Sequence, residues 1–439
     1  MTLLQPLLRT IKAPSLLLAS FLFATACATA PARPPVQIGT GSPRVEPVPG
    51  GQAGTGDDVD IGMADIGEPE QNDHTVRGDG GLTPAFMAGR DIKRAAVLLP
   101  FSHPNAQVRA EAESMLAGIE LALFEYAGDD FMIIPMDTAG KQSVAEARLD
   151  EAIKDKADVV LGPLFGANVK AIRERALDKK VPVIAFSNDR SAAGGGAYLA
   201  SISPEEEMSR IVQYAASKGV RSFVFLGPDT AYGREIETAL RSESFRNGGV
   251  VLTSAFYGEE SNATAEARSV SGVLKSEIAR NSRQKIGVII PERGVKLLSV
   301  APLLPYNGVD LNKVMLIGTS LWDDSAIWRE PALEGAVYAR TDPDNLTDFT
   351  DTYRRIYGKA PTDLAAQAYD AAALTVRLAS ENNLKYNGVT DPDGFFGVNG
   401  LFRFRLDGTT ERGLAVMQIL PTGAVVIEHG ISQFPSGPS

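Results

Sequence analysis

Side chains that commonly carry out catalysis are scarce in this sequence. The chain has one cysteine, Cys27, and three histidines, His74, His103 and His429. No histidine pair is placed to hold zinc, and the sequence has neither a Gly-Xaa-Ser-Xaa-Gly nucleophile turn nor a glycine-rich loop ending in Gly-Lys-Ser or Gly-Lys-Thr. The paired acids Asp323 and Asp324 are of a kind more often solvated than catalytic. We therefore predict a protein that is not an enzyme and needs no metal and no cofactor.

The elements that would position any site are built from strand–turn–helix units, of which residues 158–172, DVVLGPLFGANVKAI, are the clearest. This stretch predicts a buried strand, a tight turn at Gly162-Pro163, and a helix opening near Asn168 with Val169 and Ile172 on its inner face. Short apolar runs bounded by turn residues are typical of parallel strands covered on both faces. Ligands of open α/β sheets bind at the carboxyl ends of the strands, so residues 162–166 are expected at the rim of a cleft.

Similar units repeat along the chain and predict two lobes. A first series places further strands at 93–100, 131–136 and 181–186. A second series starts with a short strand at 197–202 and a helix opening at Pro204, and its strands are predicted at 222–226, 250–256, 285–290 and 313–317. Parallel strands joined by right-handed helical crossovers are the expected arrangement. The predicted fold class is α/β, with two doubly wound Rossmann-like lobes.

The C-terminal part follows another pattern. Helices are predicted at 346–357 and 364–381, followed by antiparallel strands from Phe395 with hairpin signals at Asp407-Gly408 and Thr422-Gly423. A chain that adds such elements after two sheets crosses back between the lobes and forms a hinge. We assign residues 92–203 and 341–400 to lobe 1, residues 204–340 and 401–432 to lobe 2, and residues 433–439 to a tail.

The N-terminus has the pattern of an export signal. Arg9 and Lys12 precede an apolar run at 16–23, and small residues follow it up to Cys27. The sequence Ala24-Thr25-Ala26-Cys27 resembles the lipobox of bacterial lipoproteins, which implies a signal peptide at 1–26 and acyl chains on Cys27 that hold the protein to a membrane. The alanine at position 28 implies the periplasmic side of the outer membrane. The alternative is an ordinary signal peptide in which Cys27 has no role.

Length and composition set the remaining limits. A chain of 439 residues is too long for one compact core. Residues 27–91 are dense in proline, glycine and aspartate, which predicts a disordered tether with a mean span of roughly 45 Å. The net charge of −11 argues against a nucleic-acid partner, because such proteins need a basic face.

A family resemblance rests on four features: the turn at Gly162-Pro163, the turn at residues 230–233 (TAYG), the closing stretch 396–400 with Asp407-Gly408, and the order of the strand–turn–helix units. In these features the chain resembles the type I periplasmic binding proteins of the leucine/isoleucine/valine class, over roughly residues 92–430. Within that class, residues 95–100 and 161–165 are most similar to the penicillin-binding protein activators. The resemblance implies an outer-membrane lipoprotein that contacts a murein synthase.

The same resemblance implies a set of candidate residues around a cleft between the lobes. In the amino-acid-binding class, hydroxyls and backbone amides at the third and fourth strand ends hold the ligand carboxylate, and an acid of the second lobe holds the ammonium group. Here no Ser or Thr accompanies Phe165 in the first loop, and Ser320 and Trp322 stand where the acid is expected. The cleft candidates are Ser102, Phe165, Ser187, Asn188, Tyr232, Ser320 and Trp322. An unpaired buried ammonium group is costly, so a free amino acid fits this set poorly.

Each candidate also has a purely structural interpretation. Tyr232 matches a family tyrosine whose ring can close over a ligand, but it could equally be a packed turn residue. Trp322 could pack in the core or the hinge. Ser102, Ser187 and Asn188 could cap helices, a common use of such residues.

Two functions are compatible with these patterns. The first is a non-catalytic envelope lipoprotein that resembles the penicillin-binding protein activators and regulates peptidoglycan synthesis by contacting a murein synthase. The second is the solute-binding receptor of an ABC importer, with an amino acid or another small polar ligand in the cleft. The anchor signal and the departures from the amino-acid site favour the first.

Overall fold

The computed structural model describes residues 36–37, 75–78, 81–281 and 283–434, and for residues 36–37 and 75–78 the backbone alone. The predicted signal peptide at 1–26, Cys27 and residues 435–439 of the expected tail lie outside the described residues.

The described strands are β1 (Val36–Gln37), β2 (Thr75–Gly78), β3 (Gly81–Pro84), β4 (Lys93–Leu99), β5 (Phe131–Asp137), β6 (Val159–Leu161), β7 (Val183–Ala185), β8 (Ala197–Leu199), β9 (Ser222–Pro228), β10 (Val250–Tyr257), β11 (Ile286–Ile289), β12 (Val314–Ile317), β13 (Val337–Arg340), β14 (Phe395–Gly397), β15 (Gly400–Phe404), β16 (Thr410–Arg412), β17 (Ala415–Leu420) and β18 (Gly423–Glu428). The described α-helices are α1 (Ala106–Tyr126), α2 (Gln142–Lys154), α3 (Gly166–Asp178), α4 (Pro204–Ser217), α5 (Ala231–Arg246), α6 (Thr264–Arg280), α7 (Gly294–Val300), α8 (Leu303–Tyr306), α9 (Pro343–Tyr357), α10 (Asp363–Ser380) and α11 (Tyr386–Val389).

Lobe 1 is built on a parallel sheet with the strand order β5-β4-β6-β7-β8. Both faces of this sheet are covered, since Val159 and Leu161 of β6 pack in one apolar cluster and Val160 packs in another. The turn after β6 needs glycine, because Gly162 has a φ of +106° and a Cβ there would lie 2.3 Å from the carbonyl oxygen of Leu98. This is the unit that the sequence predicts most clearly, and it has the predicted form.

Lobe 2 is built on a sheet with the order β10-β9-β11-β12-β13-β17-β18, in which β17 and β18 are antiparallel to their neighbours. The sequence interpretation did not identify β13, although this strand joins the parallel part of the sheet to the antiparallel part. Two short helices, α7 and α8, follow β11 in place of one continuous helix. Pro302 and Pro305 lack the amide hydrogen that a continuous helix would need.

The chain passes between the lobes at three places in the described residues. It enters lobe 2 between β8 and α4, returns between β13 and α9, and enters lobe 2 again between β16 and β17. Helix α10 belongs to lobe 1, because it lies so close to α1 that a Cβ on Gly118 would meet the carbonyl oxygen of Ala365 at 2.4 Å. The structure is thus an α/β fold of two lobes, as predicted from the sequence.

Two expectations about boundaries need correction. The division at residue 401 does not follow the packing, because Phe402 and Phe404 of β15 lie in the same apolar cluster as the lobe 1 strands. The expected tether at 27–91 also contains regular structure: β2 and β3 form a hairpin, and β1 pairs in parallel with β14. The hairpin is held by Arg94, whose guanidinium group donates to the carbonyl oxygen of Leu82 and to the hydroxyl of Thr83 at 2.9 Å each.

No helix among the described residues combines the length and the apolar character that crossing a bilayer requires.

Candidate functional site

The predicted cleft residues follow the carboxyl ends of strands in both lobes. In lobe 1, Ser102 follows β4, Phe165 follows β6, and Ser187 and Asn188 follow β7. In lobe 2, Tyr232 lies in the first turn of α5, and Ser320 follows β12. The carboxyl ends of parallel strands share one edge of a sheet, so each lobe presents its candidates on one edge.

Ser102 is exposed but already bonded. Its hydroxyl donates to the carboxylate of Asp137 at the end of β5, and its amide donates to the same carboxylate at 3.1 Å. These hydrogen bonds help to lower the pKa of Asp137, although partial burial acts in the opposite direction. The serine therefore joins two strand ends of lobe 1.

Phe165 lies half-buried at the start of α3, next to His103. The two ring centroids are 5.5 Å apart, with planes tilted by 43°. Gly140 lies beneath both rings, and a Cβ at this position would come within 2.6 Å of the His103 ring and 3.1 Å of the Phe165 ring. The pair forms an aromatic surface at the edge of lobe 1, a contact that residue spacing does not reveal.

Ser187 and Asn188 differ in burial. Ser187 is buried, and its hydroxyl oxygen accepts a hydrogen bond from the amide of Asp189 at 3.1 Å. Asn188 is exposed. Asp189 caps the short turn at Arg190–Ala192 and forms an ion pair with Lys170 at 2.8 Å. Ser187 therefore supports the turn that leads to Asp189, but Asp189 and not Ser187 is the capping residue.

Tyr232 is half-buried and donates its hydroxyl to Thr319 Oγ1 at 3.0 Å. Burial raises the pKa of Tyr232, and the nearby carboxylate of Glu207 raises it further. The ring links the start of α5 to the loop after β12 in the same lobe.

Ser320 bonds to an acid that the sequence interpretation missed. Its amide and hydroxyl donate to the two carboxylate oxygens of Glu207, at 2.9 and 2.7 Å. Burial raises the pKa of Glu207 to about 7, although the two hydrogen bonds from Ser320 act in the opposite direction. Thus a carboxyl group does stand beside Ser320, but it comes from α4 and not from the loop after β12.

The sequence contained a signal for Glu207. Residues 205–207 are acids in the first turn of α4, where the helix dipole favours them, and Glu206 also takes part in a capping box with Ser203. Glu207, however, lies one position before Met208 and four positions before Ile211, and both of these side chains are fully buried. An acid on the apolar face of a helix requires a specific partner, and that requirement could have identified this residue.

Trp322 lies in the core of lobe 2. Its side chain is completely buried, and its indole donates to the carbonyl oxygen of Glu292 at 3.1 Å. Gly318 makes room for it, because a Cβ there would lie 2.0 Å from the indole ring. The packing interpretation accounts for all of these contacts. The adjacent Asp323 points toward Tyr338, whose hydroxyl donates to it at 2.7 Å.

Acidic groups surround the cleft edge of lobe 2. Burial raises the pKa of Glu235 in α5 to about 7, and the charges of Glu205 and Asp189 add to the effect. Asp189 belongs to lobe 1, so its influence on Glu235 acts across the gap between the lobes. A second lobe 1 acid, Asp363 at the start of α10, contributes to the raised pKa of Glu207. Acids of both lobes therefore lie near the gap, although Asp189 is paired with Lys170.

One group of described residues offers the ligand types of a metal site. Asp342, Asp344 and His429 place one ligand atom each within 4.8 Å of one another. Both oxygens of Asp342 already have partners: one caps α9 through the amide of Asp344 at 3.1 Å, and the other lies 2.7 Å from Nδ1 of His429. Capping and an ion pair explain this arrangement without an ion.

The hydroxyls of Ser102, Tyr232 and Ser320 all donate to groups of their own lobes. These hydrogen bonds therefore stay within each lobe and do not join the two sides of the cleft.

Comparisons with known proteins identify the fold and its relatives. A penicillin-binding protein activator, LpoA of Vibrio cholerae, is 22% identical over 271 residues, which are 58% of this chain and 42% of that protein. The chain thus spans less than half the length of this relative. An uncharacterized protein of Rickettsia prowazekii is 22% identical over 249 residues, 56% of this chain and 65% of that one.

Solved structures give the same fold. A putative branched-chain amino acid ABC transporter protein of Rhodospirillum rubrum superposes with a TM-score of 0.66 and 18% identity, covering 76% of this chain and all of the other (100%). The family model for periplasmic binding proteins matches residues 94–423, which include the three crossings and all strands of the two main sheets except nearly all of β18. The chain therefore belongs to the periplasmic binding protein family.

Proposed function

We propose that this protein is a non-catalytic regulator of peptidoglycan synthesis that acts by contacting a penicillin-binding protein. The relative in Vibrio cholerae is named as such an activator, and relatives named for binding or activation support a role without catalysis. The observation that carries the proposal is the similarity to this activator, which extends over 58% of the chain. The two hydrogen bonds from Ser320 to Glu207 support it, because they engage the acid that a receptor would need for a ligand ammonium group.

We place the protein in the bacterial envelope, on the periplasmic side. The family and the activator relatives support this location. Anchoring through acyl chains on Cys27, after removal of residues 1–26, is part of the proposal, as is the outer membrane as the anchored surface. Such an anchor would keep the lobes within reach of synthases that work in the same compartment.

Crosslinking in living cells followed by mass spectrometry tests the partner without presuming it. We expect a penicillin-binding protein among the crosslinked neighbours, and purified chain should then retain that synthase on a column and raise its rate of glycan synthesis. A variant with Cys27→Ser should lose the crosslink in cells and keep the interaction between purified proteins. Failure to recover any peptidoglycan synthase in either experiment would refute the proposal.

A solute receptor is the second candidate, and Glu207 is the observation that favours it. Its carboxyl group lies close to Tyr232 and Ser320, and it could accept an ammonium group if the hydrogen bonds from Ser320 were exchanged for a ligand. A thermal shift screen with amino acids and small polar metabolites separates the two functions. A receptor would be stabilised by several degrees by one compound at saturating concentration, whereas the proposed regulator would not.

A further inference from the structure

A groove of about 620 Å³ lies at the hinge, where β8 and β16 of lobe 1 meet α4 and α5 of lobe 2. It is separate from the strand-end cleft, because none of the seven predicted cleft residues lines it. Its volume is within the usual range for small-molecule sites, roughly 300–1,000 Å³.

Arg412 is the buried charge of this groove. The residue is 9% exposed, and its guanidinium carbon lies 5.1 Å from the centre of the Phe402 ring. Its Nη2 donates to the carbonyl oxygen of Ala200, but Nε and Nη1 have no hydrogen-bond acceptor. Glu206 lies 3.7 Å from Nε, close enough for an ion pair but too far for a hydrogen bond. Buried donors without acceptors are costly, so this arrangement calls for an additional partner.

Two glutamates that line the same groove have carboxylate oxygens that lack a hydrogen-bond donor. One carboxylate oxygen of Glu206 and one of Glu205 are buried without a hydrogen-bond donor. Apart from the exposed Arg190, the other charges that line the groove are paired: Arg210 with Glu428 at 2.8 Å, Arg246 with Glu243 at 2.6 Å, and Arg405 with Glu411 at 3.0 Å. The hydroxyls of Ser201 and Thr410 donate to backbone carbonyls. Among the residues that line the groove, the buried atoms without partners are thus confined to Arg412, Glu205 and Glu206.

We propose that the hinge groove binds a small zwitterion, with its carboxylate on Arg412 and its ammonium group on Glu205 and Glu206. An anion alone would meet the two glutamates, and a cation alone would leave the two donors of Arg412 unsatisfied. A molecule with both charges satisfies all four atoms. This inference is independent of the proposed function, because it concerns neither the strand-end cleft nor a protein partner.

The occupant would touch both lobes. Arg412 belongs to β16 in lobe 1, whereas Glu205 and Glu206 lie in the first turn of α4 in lobe 2. A bound zwitterion would therefore favour the hinge angle at which its two ends reach both partners, and it would regulate the arrangement of the lobes.

Isothermal titration calorimetry on the purified full chain tests the proposal. The test compounds are L-alanine and L-alanyl-L-alanine as zwitterions, with acetate and ethylamine as molecules that carry one of the two charges. We expect at least one zwitterion to bind, and acetate and ethylamine to bind at least tenfold more weakly. Glu205→Gln, which removes one charge at a half-buried position, should weaken binding of the zwitterion about tenfold.

Arg412→Lys keeps the buried charge and removes the planar fork of donors, so it should weaken binding by at least tenfold while the chain stays folded by circular dichroism. Glu113→Gln, on the exposed face of α1, should bind as the unchanged chain does. Absence of zwitterion binding up to about 10 mM would show that the groove holds only solvent and would overturn the proposal. Binding that survives Glu205→Gln but is lost in Tyr232→Phe would place the site in the strand-end cleft and would overturn it as well.

Discussion

Ser320 and Glu207 are joined by two hydrogen bonds, of 2.9 and 2.7 Å, although 113 residues separate them in the sequence. The pair fastens the loop after β12 to the first turn of α4. The acid is buried, so the protonation state of one carboxyl group affects both the stability of lobe 2 and the chemistry of the cleft edge.

The pH dependence of stability should report on Glu207. Its pKa is raised from the ordinary value of 4.5 to about 7, so its contribution to stability is fully present below about pH 4.5 and is lost as the pH rises through 7. The unchanged chain should therefore lose about 3 kcal/mol of unfolding free energy relative to Glu207→Gln between pH 5 and pH 8. Urea unfolding at the two pH values measures this difference. Parallel pH profiles for the two proteins would contradict the assignment, and Glu113→Gln serves as the exposed control.

Tryptophan fluorescence can test the packing of Trp322. The side chain of Trp322 is fully buried, whereas Trp328 is only half-buried. In Trp328→Phe, the remaining emission should be blue-shifted and strongly protected from acrylamide. In Trp322→Phe, the emission should be quenched several-fold more readily. A ligand-binding role at the cleft surface would give Trp322 the higher quenching constant.

Asp370 should be a major source of stability at the hinge. Its carboxylate accepts hydrogen bonds from the amides of Val398 and Asn399 and from the side chain of Asn399, at 2.8, 2.9 and 2.8 Å. Asp370→Ala leaves these buried donors without an acceptor and should reduce the unfolding free energy by about 3 kcal/mol or more. Asp351→Ala, at an exposed position of α9, should change it by less than about 0.5 kcal/mol. Equal effects in urea unfolding would argue against this role.

Arg94 should determine whether the hairpin of β2 and β3 stays attached to lobe 1. Its three donors reach the carbonyl oxygens of Leu82 and Ile92 and the hydroxyl of Thr83, each at 2.9 Å. Arg94→Ala should raise amide hydrogen exchange around residues 81–84 by roughly tenfold or more, with little change in the strands of lobe 2. Arg90→Ala, a variant at a half-exposed position, is the matched control. Unchanged exchange would mean that other contacts hold the hairpin.

The sequence predicted most elements because their signals are local. The apolar run at Val159–Leu161, bounded by Asp158 and the Gly162-Pro163 turn, identifies a buried strand without any knowledge of its neighbours. Strand β13 escaped detection because it is four residues long and ends in an arginine, so its apolar run is short. Its place in the sheet is set by β12 and β17, which come from distant parts of the chain.

The site was less predictable, because bonding partners there are remote. Ser102, Ser187 and Ser320 follow strands in the structure, but nothing in their spacing shows which hydrogen-bond partner each hydroxyl has. Glu207 stands among the acids of a helix's first turn, which is a local signal, but its bonding partner Ser320 lies 113 positions further along the chain. Whether the cleft candidates hold a ligand stays a prediction.

The three connections between the lobes restrict how the molecule can change shape. A single linker would allow the halves to twist, slide and separate, whereas three covalent strands side by side permit essentially one swing about the line that they share. Any molecule that bridges the halves can therefore select an opening angle, but it cannot make one half slide or twist relative to the other. The surface offered to a protein partner would then vary along one coordinate, from open to shut.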